Sequence, residues 1–131
     1  MAITLTYAGS TLNLHPDLLW ADEFAWSPVS QSAERSVTGA LLLQYGTKLS
    51  GRPITLQPET PDSAWTSRET LNTLNSWASV AGREMTLSIY GTDFQVVFRH
   101  LDSAIDASPV VHYGDIQSAD WYSTTLRFME I

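Results

Sequence analysis

The chain predicts a mostly β, α+β domain: a single β-sandwich or barrel-like body over residues 1–131, with one α-helix at about 66–81 packed on it. Three observations carry this expectation. Most of the chain alternates apolar and polar residues with the period of a strand. One stretch alone, TSRETLNTLNSWASVAG at residues 66–82, has helical spacing. Turn residues interrupt the chain at short intervals, and no repeat, low-complexity tract or linker divides it.

The elements follow in order. AITLTY alternates Ile3 and Leu5 with Thr4 and Thr6, YAGS turns, and TLNL resumes with Leu12 and Leu14, an opening β-hairpin. HPDLLWADEFAWSPVSQSAE is less regular, and predicts a strand from Leu19 to Trp26 followed by a loop through residues 27–33. RSVTGALLLQYG predicts one long strand, in which Gly39 marks a bulge or a close backbone approach. A turn at Ser50 and Gly51 leads to a short strand through Ile54 and Leu56. Pro53 donates no hydrogen bond and belongs at that strand's first residue or on an edge. Pro58 and Pro61 punctuate the loop that follows.

In the helix, Thr66 and Glu69 have the spacing of a capping box, and Gly82 stands where a helix ends with positive φ. Leu71, Leu74, Trp77, Ala78 and Ala81 form one apolar stripe, the mark of a helix covering a core. The face opposite carries hydroxyls and amides, which suit a protein contact better than chemistry. EMTLSIY and FQVVFRH then alternate on either side of YGTD. Gly91 there predicts a type II′ turn with glycine at its first central position. An irregular strand is expected around Val110 to Tyr113. WYSTTLRFMEI closes the chain with Tyr122, Thr124, Leu126 and Phe128 on one face and Trp121, Ser123 and Thr125 on the other. Seven to nine strands result.

Composition excludes several functions. With no cysteine, the chain has no disulfide, thiolate zinc site, iron–sulfur cluster or cysteine nucleophile. Seven Lys and Arg stand against fourteen Asp and Glu, for a net charge of −7, and the cations are scattered. Nucleic acid is bound through clustered cations, so none is expected as a partner. No segment has the roughly 20 apolar residues of a membrane helix, so no membrane insertion is expected. The N-terminus lacks the pattern of a signal peptide.

No catalytic constellation stands out, so no enzyme activity, cofactor or metal site is expected. The three histidines, His15, His100 and His112, have no zinc-helix spacing. His100 with Asp102 and Asp106 offers a base and two carboxylates, yet charges after a strand read first as a solvated loop. Asp17, Asp22 and Glu23 lack the order of a calcium loop, and Asp115 and Asp120 offer at best a weak ion site. There is no nucleophile elbow, dinucleotide fingerprint or phosphate-binding glycine loop. Five tryptophans are the richer signal. Trp77 and one of Trp121 or Tyr122 read as core. Trp20, Trp26 and Trp65 lie at loop margins, where aromatics anchor protein interfaces or, as the competing use, stack on sugar rings.

The runs GRPITLQ, WTSRETLNTLNSWA, MTLSIYGTDFQVVFRH and DWYSTTLRFMEI, in that order over roughly residues 35–131, resemble small tail proteins of long-tailed bacteriophages. The nearest type is the ring-forming N-terminal domain of the distal tail protein. That resemblance implies a structural virion protein, synthesised in the host cytoplasm. It would form a hexameric ring that joins tail tube to tip or baseplate and contacts other tail proteins. It transfers no site residue. Contacts between subunits are then expected from residues 27–36 and 101–120, with Trp20, Trp26, Trp65, Arg35 and Tyr113 as interface candidates. Rival readings are a tail tube or terminator protein of related fold, and a galectin-like carbohydrate-binding module stacking sugar on Trp20 or Trp26. A small hydrolase using His100 and Asp102 is a third.

Overall fold

The computed structural model describes residues 2–60 and 63–131; Pro61 lies outside the described residues. The chain is mostly β with one α-helix, as the alternation predicts. The opening hairpin forms from β1 (Ile3–Tyr7) and β2 (Ser10–Leu14), joined by Ala8 and Gly9 at φ 50° and 83°. Two positive φ values make the type I′ turn whose twist matches the flanking strands. There follow β3 (Leu19–Trp20), β4 (Val29–Arg35), β5 (Leu41–Thr47), β6 (Pro53–Gln57) and β7 (Thr66–Ser67). Helix α1 (Arg68–Ala78) comes next, then β8 (Met85–Ile89), β9 (Thr92–Phe98), a 3-10 turn at His100–Asp102, β10 (Ile105–Pro109) and β11 (Trp121–Glu130).

Nine of these strands make one antiparallel sheet, in the order β2-β1-β8-β9-β11-β6-β3, with β7 and β10 also on β11. Strand β11 is its spine. It pairs with β6 and β9 through its second half and with β7 and β10 through its first. Every second residue points inward: Ile3 and Leu5, Ile54 and Leu56, Met85, Leu87 and Ile89, Val96 and Phe98, Leu126 and Phe128 are all buried. Leu14 of β2 and Trp20 of β3, from opposite edges, belong to the same core cluster as the central strands. The sheet therefore curls around its core. Leu74 and Trp77 of α1 join that cluster, and Trp77 meets Tyr7 at 5.9 Å between ring centroids. Pro53 is the first residue of its strand, where its missing N–H costs least.

Several local expectations are corrected. The helix is capped by Ser67, whose hydroxyl accepts from the Thr70 N–H, because Thr66 is buried in β7 and paired with Tyr122. The helix stops at Ala78, where the Ser79 N–H and hydroxyl both bond back to the Ser76 carbonyl. Gly82, at φ 71°, belongs to the next turn, and Ala81 is exposed. The β8–β9 loop is Tyr90-Gly91, with both φ positive, so the turn is type I′ and glycine takes its second position. The strand expected over residues 19–26 ends at Trp20. There the Asp22 carboxylate accepts from the Thr55 N–H and hydroxyl at 2.9 Å each, and the chain turns away. The last excursion forms its strand at Ile105–Pro109, before the expected Val110–Tyr113, because β10 follows β11 only as far as Pro109 opposite Tyr122.

The largest correction concerns residues 27–46. The expected loop is strand β4, and the expected long strand is a turn followed by β5. Gly39, at φ 86°, closes the tip of this hairpin, where the Ser36 N–H donates to the Ala40 carbonyl at 2.8 Å and the Ser36 hydroxyl accepts from the Ala40 N–H. It is a turn glycine, not a bulge.

Among the described residues several buried side-chain polar atoms lack a hydrogen-bond partner, among them Trp20 Nε1, Arg52 Nε and the Thr124 hydroxyl. The Thr124 hydroxyl lies inside β11, in a residue 1% exposed. An unpaired buried hydroxyl is costly, and valine has nearly the same shape. Thr124→Val should therefore stabilise the fold by about 1 kcal/mol in urea unfolding.

Candidate functional site: an exposed arm and an aromatic groove

The β4–β5 hairpin is a separate two-stranded sheet whose residues are all exposed. Its base is closed by the Lys48 N–H on the Pro28 carbonyl at 2.7 Å. The register assigns its faces, since residues opposite each other in an antiparallel pair share a side. Val29 faces Thr47, Gln31 faces Tyr45, Ala33 faces Leu43 and Arg35 faces Leu41. Those pairs make one side, rich in apolar residues. The other carries Ser30 with Gly46, Ser32 with Gln44 and Glu34 with Leu42. This is the pattern of a strand pair with a core behind it, yet Leu41, Leu43 and Tyr45 remain 50%, 39% and 67% exposed. The hairpin is an amphipathic arm that the described residues leave uncovered.

A second surface lies at the start of β11. Three adjoining hollows of about 230, 380 and 310 Å³ all include Trp65 and Trp121 in their walls. The first opens toward His15, Ser67 and Thr70, and the third toward Val110, Val111, Tyr113 and Asp120. Val111, Tyr113 and Trp121 are each about half exposed, at 54%, 56% and 52%. The loop bearing them is held by the Asp120 carboxylate, which accepts from the Gln117 N–H, and by the Val110 N–H on the Trp121 carbonyl.

The structure brings two of the interface candidates, Trp65 and Tyr113, into one hollow. Arg35 sits at the far end of the arm, donating to the Gly39 carbonyl. Trp26 is half-buried near the arm's base, with the Lys48 ammonium 5.4 Å from its ring centre. Trp20 is corrected: it is 5% exposed, edge-on to Phe94 and covered by the Arg52 guanidinium at 4.6 Å. Its place inside the curl of the sheet makes it core, so it anchors no interface and stacks on no sugar. Trp121 was a candidate for the core and instead faces the groove. Its parity held the signal, because Thr124, Leu126 and Phe128 point inward and Trp121 cannot share their side. Val29, Leu41, Leu43 and Tyr45 are missed in the sequence because a loop over residues 27–33 leaves LLLQYG without the partner strand that β4 supplies.

The acidic and histidine candidates do not assemble. Asp102 pairs with the Arg99 side chain at 2.9 Å, while His100 packs near Phe98, and Asp106 lies exposed on β10. Asp22 is committed to Thr55, and the Arg99 guanidinium also reaches the Thr55 hydroxyl at 2.9 Å. His15 accepts the Asp17 N–H on Nδ1 at 3.1 Å. Among the described residues no group of three His, Asp or Glu side chains could hold a metal ion. Nor is any helix among them long and apolar enough to cross a membrane. No protein-family model and no curated protein matches this chain.

The arm contributes nothing to the core cluster. Replacing residues 29–47 by a short Gly-Ser linker should therefore change the unfolding free energy of the monomer by less than about 1 kcal/mol, since loop closure depends only weakly on length. Urea unfolding at low protein concentration measures this.

Proposed function

We propose that this chain is a non-enzymatic structural protein that assembles into a closed ring through its arm. In this reading it serves as a distal tail component of a long-tailed phage, joining tail tube to tip or baseplate. The observation that carries the proposal is the amphipathic register of the arm: Val29, Ala33, Leu41, Leu43 and Tyr45 share a face that the described residues of the chain leave exposed. An isolated two-stranded hairpin is at best marginally stable in water. Full burial of one such side chain contributes about 1.5–3 kcal/mol, so a partner that covers several of them offsets much of the cost of association.

A face on an arm meeting a different surface on the next copy is a heterologous contact, which closes into a ring when its rotation allows. The order of elements that resembles tail proteins supports the same reading and suggests six copies. A tail tube or terminator ring would use the same chemistry. The carbohydrate-module reading loses Trp20 as a stacking platform, because that ring is covered by Arg52.

Mass photometry and negative-stain imaging of the purified protein should show rings. The double variant Leu41→Ser, Leu43→Ser should shift the population to monomers while leaving the melting temperature of the monomer unchanged. A parent protein that stays monomeric at all concentrations, also with tail partners present, contradicts the proposal.

A further inference from the structure

The arm and the Trp65–Trp121 groove sit at opposite ends of one strand. At the C-terminal end of β11, the Gly51 N–H bonds to the Glu130 carbonyl and the Glu130 N–H to the Arg52 carbonyl, just beyond the arm's base at Lys48. At the N-terminal end, Trp121 and Tyr122 pair with Ser67 and Thr66 beside the groove. A strand of 10 residues separates the two, about 30 Å at strand rise. A chain with a donor surface at one end and an acceptor surface at the other is arranged for head-to-tail contact with its own copies.

The two surfaces also match in chemistry. The groove offers Trp65, Val111, Tyr113 and Trp121 as an apolar wall with Asp120 in its lining. The arm offers Val29, Leu41, Leu43 and Tyr45, with Arg35 on the same face beside Leu41. Residues 110–120 contain Asp115 and Asp120 and no Lys or Arg, so Arg35 would meet an acidic rim.

We infer that the Trp65–Trp121 groove is the seat for the arm of a neighbouring copy of this chain, with the Leu41, Leu43 and Tyr45 face against the Trp121 and Tyr113 rings and Arg35 toward Asp120. The inference rests on the ring reading and names the surface that receives the arm.

The absence of cysteine from the chain makes a disulfide test clean. One preparation carries Leu43→Cys and a second carries Val111→Cys, both at exposed positions. The two are mixed, allowed to assemble and mildly oxidised, and linked peptides are identified by mass spectrometry. A control mixture replaces the second with Leu101→Cys, a side chain 98% exposed in the 3-10 turn. The expected result is a disulfide joining the Leu43 and Val111 positions, formed at least fivefold more than the control link. Equal yields from the two mixtures, with rings present in the images, overturn the groove as the seat and leave the ring reading standing. Monomers throughout overturn the ring reading and this inference together.

Discussion

Strand β11 is hydrogen-bonded along both edges, to β6 and β7 on one side and to β9 and β10 on the other, and its Thr124, Leu126 and Phe128 are buried. Four of the other strands are placed directly by that strand, and the rest of the main sheet extends from them. It joins the chain's two halves, since β6 and β7 precede the helix while β9 and β10 follow it, and the β1–β8 ladder joins them a second time. Its inward residues also fix which side of each neighbour is core, because the period of a strand is two and a slip by one residue would expose the whole set. A polar substitution at Leu126 or Phe128 therefore acts on two ladders at once, β10 and β6 for the first and β6 and β9 for the second.

The arm is left outside this sheet. The segment between β3 and β6 adds to neither edge strand of the main sheet, β2 or β3. It pairs with itself. Its apolar face keeps the alternation of a core strand but lacks the core, and the body keeps a second half-exposed apolar surface at Trp121 and Tyr113. Monomers rarely carry large contiguous apolar patches without a use. The part-buried polar groups are, by contrast, structural: Asp22, Thr55 and Arg99 tie the turn after β3 to β6, and Arg52 covers Trp20 while donating to the Glu23 carbonyl at 2.7 Å.

Much of the body was legible in the sequence. Ile3 and Leu5, Met85, Leu87 and Ile89, and Leu126 with Phe128 alternate too regularly to be anything but inward-facing strands, and Leu74 with Trp77 marked the helix's buried side. What failed was local choice between near-equal alternatives. Thr66 and Ser67 are both capping residues, and only tertiary pairing with Tyr122 decides for Ser67. YGTD allows two glycine positions in a two-residue turn, and the register of Ile89 with Thr92 selects the second. The arm was hidden because VSQSAER has few apolar residues. It reads as a strand only once LLLQYGT is seen opposite it, and that pairing depends on recognising SVTGA as a turn. The groove was hidden for another reason: Trp65 and Trp121 are far apart in sequence and are brought together by the short β7–β11 ladder.

The central claim is that the apolar face of the arm is open in the single chain and covered in the assembly. Hydrogen–deuterium exchange of the peptides spanning residues 29–47, followed in monomeric and in assembled protein, tests it most directly. Covering the arm should slow exchange across β4 and β5 by at least tenfold in the assembly, while the β8 and β9 amides, already inside the sheet, change little. Equal exchange of the arm in both states would show that assembly, if it occurs, uses another surface.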